Sequence, residues 1–415
     1  MNKIIIYIFI LILLVWISIY KKEYIIALFL EGHIFLKLFE KFSLFSNESI
    51  SFIVYFGIVS IVIFRFQRTN VKGFLKIFSI YIFFIIFLYL STFYSLDKEY
   101  GKEKLYSFIS ISFPILLFTF MIIKDRNSYK KLLEAISNLA IVTGIITLYC
   151  IFKETGEFSA RIGTTEASQI KFLGVNLSVA IWFGRRMVLG FIASVVLLFV
   201  EKNNWKSESL KIILLFLFSI LSISRGPILS LGIIVLLIIF NKRKKIFKQK
   251  NLIIILMILF ISLIGLFFGK IEESFIRIFE YNDRNTSSRL DALQIAIDSF
   301  INSPILGLGL GGYNKINPQL KYPHNIVIEF IVELGFIISI IIGGVILILF
   351  INYYRYFIFK VQRNEIFLFT LYTFLFSFIN GLVSGNLASN EYIFFSMVLF
   401  YISKEILKKE IRRKS

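Results

Sequence analysis

The sequence has very few of the residues that form disulfide frameworks or metal sites. Its 415 residues include one cysteine, Cys150, and two histidines, His33 and His324. A single cysteine excludes an intrachain disulfide framework, and the apolar run around it indicates a packing role. Two histidines, without a cysteine pair or an aspartate-rich cluster, argue against a metal-dependent enzyme. We therefore expect neither a metal nor another cofactor.

Charged residues are also scarce. They form 17% of the chain, whereas hydrophobic residues form 57% and the mean hydropathy is +0.81. Apolar runs of about 20 residues match the hydrocarbon thickness of a bilayer, and such runs recur along the whole chain. No internal repeat and no stretch long enough for a soluble nucleotide-binding domain interrupts them. The composition predicts an all-α integral membrane protein.

The apolar runs predict twelve transmembrane spans. The first run is too long for a signal peptide, and no small-residue cleavage site follows it. Residues 21–49 carry a charge every few positions, so we assign them to an interfacial or re-entrant helix. If they span the membrane, the total becomes thirteen and the N-terminus moves outside. The predicted spans are residues 4–20, 50–66, 74–94, 105–123, 132–152, 172–200, 210–223, 227–240, 251–268, 325–350, 366–383 and 391–403.

Basic residues are concentrated on one predicted side of the membrane. The predicted cytoplasmic segments hold 26 basic and 6 acidic residues, whereas the predicted outer segments hold 17 of each. Cytoplasmic loops are rich in Lys and Arg, so both termini are expected in the cytoplasm. The net charge of +20 is then an orientation signal, and no nucleic-acid partner is expected. The long loop 269–324, between spans nine and ten, is predicted to lie outside.

Arg225 is a candidate ligand for an anion. It lies in the stretch SISRGPILSLG, residues 222–232, just before Pro227, a residue suited to the first turn of a helix. Free N–H groups at a helix start, together with a guanidinium, can bind phosphate oxygens. The alternative is an arginine that reaches from a turn to lipid headgroups.

Two further arginines, Arg185 and Arg186, lie within a predicted span. Arginines inside spans usually face a polar cavity or a partner. Alternatively, the helix begins near residue 187 and the pair lies at the membrane interface. Arg161 belongs to the predicted outer loop before this span and, by itself, is an ordinary exposed charge.

The outer loop contains an amphipathic stretch and a glycine-rich stretch. In SSRLDALQIAIDSF the apolar residues recur at nearly helical spacing, which predicts a surface helix lying over the core on Leu290, Leu293, Ile297 and Phe300. Ser287 or Ser288 would cap this helix, with Arg289 at its start. The following GLGLGG formally matches G-x-G-x-x-G, but no strand precedes it, so a dinucleotide site is not predicted. Its glycines, Gly309 among them, predict a close backbone approach to the membrane core or to a sugar.

His324 lies where the loop meets the next span, in KYPHNIVIEFIVELGFI, residues 321–337. A lone loop histidine is usually an ordinary polar residue, but an imidazole at a membrane boundary near several arginines suits a general base. Glu329 and Glu333 share one helix face inside the span, where ionisable groups are functional candidates. In the absence of a metal, arginines would have to neutralise a phosphate leaving group.

These stretches, in this order, resemble the O-antigen ligase and O-antigen polymerase superfamily over residues 155–350. Arg225 and Leu229 resemble its Arg-x-x-x-Leu pattern, and His324 with Asn325, followed by Gly335, resembles its histidine motif. The resemblance implies a GT-C-like, metal-independent, inverting glycosyltransferase. Its donor would be an undecaprenyl-diphosphate-linked oligosaccharide at the outer face of the inner membrane.

The resemblance also implies roles for the candidate residues. His324 would be the base that deprotonates the acceptor hydroxyl, with Asn325, Glu329, Glu333 and Gly309 in support. Five arginines would bind the diphosphate: Arg161, Arg185, Arg186, Arg225 and Arg289. The chain would then divide into N-terminal spans (1–154), the family-like core (155–350) and C-terminal spans with a basic tail (351–415).

The acceptor separates two readings of the resemblance. A polymerase would transfer to a second lipid-linked repeat unit, with a chain-length regulator as a further partner, whereas a ligase would transfer to lipid A core. The bias toward Ile, Lys, Phe and Asn is typical of AT-rich genomes and favours the polymerase. A lipid-linked glycan transporter would need an internal repeat and midplane polar groups, and a purely structural partner would not depend on His324.

Overall fold

A computed structural model describes residues 12–13, 15–31, 57, 71–156, 170–172, 175–176, 181–200, 205–248, 284–360 and 365–414. The regular secondary structure of this part of the chain is helical apart from an antiparallel pair of two-residue strands, β1 (Lys171–Phe172) and β2 (Val175–Asn176). The chain forms two compact units, one made of Met1–Phe66 with Arg126–Glu280 and the other of Gln67–Asp125 with Tyr281–Ser415.

The described helices, in chain order, are α1 (Glu23–Glu31), α2 (Val71–Phe93), α3 (Lys98–Ile122), α4 (Arg126–Thr155), α5 (Ile181–Val200), α6 (Trp205–Leu221), α7 (Arg225–Lys248), α8 (Arg284–Asn302), α9 (Tyr313–Ile316), α10 (Ile326–Lys360), α11 (Glu365–Val383) and α12 (Glu391–Lys414). A short 3₁₀ turn, Leu387–Ser389, precedes α12.

Among the described helices, six are long and apolar enough to cross a membrane. They are Gly73–Phe93, Lys98–Ile122, Arg126–Thr155, Ile181–Val200, Ile326–Arg355 and Ile366–Val383. Each overlaps a predicted span, so the all-α, multi-pass architecture is confirmed. The predicted spans 50–66 and 251–268 lie outside the described residues, apart from residue 57, and the total of twelve stays a prediction.

Small residues allow the helices of the first unit to pack closely. Helix α5 packs against both α4 and α6. A Cβ atom at Gly190 would lie 2.5 Å from the Ala140 Cβ, and Ser194 donates a 2.9 Å hydrogen bond to Ser137. Such small-residue contacts are typical of helices that associate within a bilayer, where apolar area alone gives little driving force. Cys150, on α4, is buried, in agreement with its predicted packing role.

One predicted boundary in the first unit was wrong. The span predicted for residues 172–200 begins only at Ile181, because β1 and β2 turn the chain back on itself before the helix. In the segment 21–49, which we assigned to an interfacial or re-entrant helix, the described residues contain helix α1, and residues 32–49 lie outside the described part of the chain, so this assignment stays a prediction. Helix α1 packs against α4.

In the second unit, helix α10 breaks at Gly335. This residue has φ of 72° and ψ of 176°, so the predicted continuous span 325–350 consists of a short helix followed by a long one. The polar groups released by the break find partners. Val332 O accepts from Leu308 N at 2.9 Å, and Phe336 N donates to Pro304 O at 2.8 Å. The break at Gly335 is therefore stabilised by backbone hydrogen bonds from the segment that precedes α9.

The glycine-rich stretch makes these contacts. Gly307, Gly309 and Gly311 all have positive φ, and a Cβ atom at Gly309 would lie 2.6 Å from Ser95 N. Ser95 donates a 2.8 Å hydrogen bond to Leu310 O. The predicted close backbone approach is thus made to the turn between α2 and α3 and to the break in α10. The glycines therefore serve packing between protein segments, and the stretch does not follow a strand as a dinucleotide-binding loop would.

Candidate functional site

His324 lies two residues before helix α10. Asn325 caps this helix, because its Oδ1 accepts hydrogen bonds from Val327 N at 3.0 Å and Ile328 N at 3.2 Å. His324 itself adopts φ of 58°, a left-handed conformation that only a few per cent of non-glycine residues take. The predicted supporting residue Asn325 therefore acts through the backbone, since it fixes where the helix begins and where His324 is held.

One aromatic neighbour, Tyr322, and one cationic neighbour, Arg289, set the environment of His324. The Tyr322 ring centroid lies 4.4 Å from the His324 ring centroid. Burial and the positive charge of Arg289 together lower the pKa of His324 to about 4. Nδ1 of His324 is buried and, within the described residues, has no hydrogen-bond partner. The imidazole is therefore neutral at pH 7, which is the state required of a general base.

Arg289 lies on α8 and donates a 3.3 Å hydrogen bond to Val383 O at the end of α11. Its electrostatic effect on His324 shows that the structure brings these two predicted residues together. The helix, however, begins at Arg284, so the predicted cap at Ser287 or Ser288 was wrong. Its buried face is also different from the predicted one, because Ala292 and Ala296 are fully buried whereas Leu290 and Ile297 are exposed.

Glu329 and Glu333 point at a shared lysine. Lys104, on α3, forms ion pairs with Glu329 and with Glu333, the latter at 2.6 Å. All three side chains are nearly inaccessible, with exposed fractions of 3%, 2% and 1%. Leu387 N donates a 3.3 Å hydrogen bond to Glu329 Oε1. We call Lys104, Glu329 and Glu333 the buried charge cluster. It ties the short first part of α10, which follows His324, to α3 and to the 3₁₀ turn.

Lys104 was not among the site residues predicted from the sequence. We placed it in the outer segment before a span that was predicted to start at residue 105, whereas α3 already begins at Lys98. Two glutamates on one helix face inside a span require a basic partner, and that requirement was visible in the sequence. The identity of the partner was not, because 225 positions separate Lys104 from Glu329.

The predicted arginines of the first unit lie around the start of two helices. Arg185 and Arg186 are buried within the first turns of α5, so the alternative that the helix starts near residue 187 was wrong. The Arg185 guanidinium lies 5.3 Å from the centroid of the Trp182 ring. Gly184 has no side chain, and this allows the first turns of α5 to pack closely against Pro227, two residues after Arg225. A Cβ atom at Gly184 would lie only 2.8 Å from the Pro227 Cβ.

Arg225 is the first residue of α7, two residues before the predicted span 227–240. The chain turns between α6 and α7 through Ile223, which has φ of 47°, and Ile228 N donates to Ser224 O at 3.1 Å. Pro227 lies in the first turn, where its missing N–H removes no helical hydrogen bond. Since α5 packs against this turn through Gly184, the segments that carry Arg185, Arg186 and Arg225 are neighbours in the first unit.

The structure therefore groups the predicted site residues within each unit. Arg185, Arg186 and Arg225 belong to the first unit, and Arg289, His324 and the buried charge cluster to the second. Gly309 packs its backbone against Ser95, at the turn between α2 and α3. Arg161 lies outside the described residues. Across the described ranges, no group of three or more His, Cys, Asp or Glu side chains is placed to hold a metal ion.

Membrane-length helices in both units, with ionisable side chains buried near helix starts, define a multi-pass α-helical membrane protein. Residues 210–343 match the family model described as O-antigen ligase. This match confirms the resemblance to the O-antigen ligase and polymerase superfamily, and the family implies a ligase or polymerase of the glycosyltransferase type. The matched stretch includes Arg225, Arg289, His324 and both glutamates of the buried charge cluster. No curated protein matches the chain with significant similarity.

The unusual pKa of His324 can be measured directly, because the chain has only two histidines. In a His33→Gln background, the ¹³Cε1 resonance of labelled histidine reports His324 alone. We expect a titration midpoint near pH 4 in detergent micelles, well below the ordinary value of about 6.5. Arg289→Gln should raise the midpoint, since it removes the positive charge but keeps the burial.

Arg412→Gln, in the last turns of α12, serves as the control for a lost positive charge and should leave the midpoint unchanged. A midpoint near 6.5 in the His33→Gln protein would contradict the buried placement of the ring. An Arg289→Gln protein with an unchanged midpoint would contradict the proximity of Arg289 and His324.

Proposed function

We propose that this protein is a membrane glycosyltransferase that acts on undecaprenyl-diphosphate-linked oligosaccharides at the outer face of the cytoplasmic membrane. Its product would be O-antigen, capsule or exopolysaccharide. The observation that carries the proposal is the neutral, partly buried His324, held at a helix start beside Arg289 within the stretch that matches the family. The termini would be cytoplasmic, as the distribution of basic residues predicts.

The reaction that we propose needs one base and a set of cations. His324 takes the proton from an acceptor hydroxyl, whose oxygen attacks the anomeric carbon of the lipid-linked sugar. The bond between that carbon and the diphosphate oxygen breaks, and undecaprenyl diphosphate leaves with inversion at the carbon. Arginine side chains stabilise the negative charge that develops on the leaving group, and no metal takes part. Arg289, whose charge acts on His324, is one candidate, and Arg161, Arg185, Arg186 and Arg225 are further candidates.

The electrostatic link between Arg289 and His324 suggests how the base is activated. In the free protein, the positive charge of Arg289 opposes protonation of His324. A bound diphosphate would offset that charge, so the proton affinity of His324 would rise when substrate is present. The imidazole would then accept a proton most readily in the complex, when an acceptor hydroxyl is aligned for attack.

The acceptor distinguishes a polymerase from a ligase. The residue bias of the chain favours a polymerase that extends a second lipid-linked repeat unit, with a chain-length regulator as a partner. The description of the matched family favours a ligase that transfers to lipid A core. We propose the polymerase first and retain the ligase as the second candidate.

Gel analysis of glycans from the native host decides between the two candidates. We compare lipid-linked and cell-surface glycan from a deletion strain with that from the same strain complemented by the wild-type gene. A deletion strain limited to one repeat unit would support the polymerase, because polymerisation fails before chain growth. Long polymer retained on the lipid carrier would support the ligase. Normal surface glycan in the deletion strain would contradict both candidates.

A further inference from the structure

The second unit contains a cavity that the proposed reaction does not use. It has a volume of about 310 Å³ and lies between α2, α3, α10 and α12. Its lining is mainly aliphatic and aromatic and includes Ile80, Phe84, Leu116, Ile346 and Phe394. In the middle of this lining, the hydroxyls of Tyr81 and Ser112 bond to each other at 2.9 Å, so neither offers a strong binding group there. The volume lies at the lower end of the range for ligand pockets in proteins.

The charged lining residues come from one end of these helices. Lys76 lies near the start of α2, while Lys404 and Lys408 lie one turn apart in the second half of α12. Glu405 also lines the cavity and accepts a 3.0 Å hydrogen bond from Lys408. Three lysines and one glutamate give this end a net charge of +2. The cavity therefore combines an apolar body with a cationic end.

The cavity is separate from the site around His324. Helix α10 begins two residues after His324, whereas its first residue in the cavity lining is Ile342. Sixteen residues at the helical rise of 1.5 Å per residue correspond to about 24 Å of chain. The lysines lie at the far end of the cavity from His324, since α2 starts there and α12 ends there. In the predicted topology, this is the cytoplasmic side of the bilayer.

We infer that this cavity binds an anionic glycerophospholipid. One acyl chain occupies the apolar lining, and the headgroup phosphate contacts Lys76, Lys404 and Lys408. Lysine ammonium groups bind phosphate as flexible point charges, and their stems can lie along apolar surface while the charge reaches the headgroup. Basic pockets between transmembrane helices on the cytoplasmic side are suited to anionic headgroups. A zwitterionic lipid gains less, because its own ammonium group opposes the net charge of +2.

Thermal unfolding of the full-length protein in neutral detergent tests this inference. We add phosphatidylglycerol or phosphatidylcholine at the same molar ratio and compare the unfolding midpoints. For the wild type, phosphatidylglycerol should raise the midpoint by at least about 3 °C more than phosphatidylcholine does. The triple variant Lys76→Gln, Lys404→Gln, Lys408→Gln should lose most of this difference. The control triple variant Lys98→Gln, Lys102→Gln, Lys409→Gln should keep it, because these lysines are exposed and do not line the cavity.

Two further measurements distinguish the contribution of the lipid headgroup to binding from that of the acyl chain. Leu349→Trp places a larger side chain at the cavity lining and should reduce the response to phosphatidylglycerol even though all three lysines remain. Glycerol 3-phosphate alone should produce no shift. Equal responses to both lipids, or an equal loss in the two triple variants, would overturn the inference. A full shift with glycerol 3-phosphate would show a phosphate site without a lipid chain and would overturn it as well.

Discussion

The His324→Ala variant is expected to transfer glycan about 10²–10⁴-fold more slowly than the wild type, while its amount in the membrane stays unchanged. The expected loss is that of a general base, because alanine cannot accept the acceptor hydroxyl proton. The fold should tolerate the change, since His324 lies outside α10 and Nδ1 has no partner among the described residues. The rate is measured on lipid-linked glycan extracted from the deletion strain, with purified wild-type or variant protein.

The chain supplies a matched control for this experiment, because His33→Ala removes the only other histidine. We expect that variant to keep the wild-type rate. A His324→Ala protein that is properly inserted and works within about threefold of the wild type would remove His324 from the chemistry. In that case the family match would still hold, and the base would have to be sought elsewhere.

The pH dependence of the wild-type rate is an independent test of His324 as the general base. A base works only when it is unprotonated, and the pKa of His324 in the free protein is about 4. The acid limb of kcat/KM, which reports the free protein, should therefore lie near pH 4. The acid limb of kcat reports the complex, and it should lie at higher pH, because a bound diphosphate offsets the charge of Arg289.

Hydropathy was sufficient to predict the membrane class of this protein and several of its spans. Local chemistry also predicted Pro227 in the first turn of α7, and the shared face of Glu329 and Glu333. Each of these inferences depends on residues a few positions apart along the chain. The placement of a helix start, or of two side chains four residues apart, needs no knowledge of the tertiary structure.

The features that sequence reasoning missed all depend on distant contacts. Gly335 lies inside a single predicted span, and it breaks α10 because the segment around Pro304 supplies hydrogen bonds to the freed backbone groups. The buried face of α8 was misassigned because large apolar residues were assumed to be buried. In the structure the small residues Ala292 and Ala296 make the close contacts, while Leu290 and Ile297 stay exposed with 41% and 43% of their surface accessible.

The buried charge cluster gives the largest expected effect on stability. Lys104→Met should lower the free energy of unfolding by about 3–5 kcal/mol, the usual cost when one partner of a buried ion pair is removed. With Lys104 present, the fully ionised cluster carries a net charge of −1. Without it, two carboxylates four residues apart on α10 are buried with no positive charge against them, and each already has one oxygen without a hydrogen-bond partner among the described residues. The measurement is unfolding in mixed micelles, with the loss of helical circular dichroism as the readout.

Two companion variants separate the charge from the shape of the side chain. Lys102→Met, two residues earlier on α3, removes an exposed lysine and should change the free energy of unfolding by no more than about 0.5 kcal/mol. Adding Glu329→Gln and Glu333→Gln to Lys104→Met replaces both carboxylates with neutral amides of the same shape. If unpaired charge is the cause, this triple variant should recover at least half of the lost stability. If Lys104→Met costs no more than Lys102→Met, the cluster does not hold α10 to α3, and the position of His324 must be maintained by the Asn325 cap and the glycine-rich stretch.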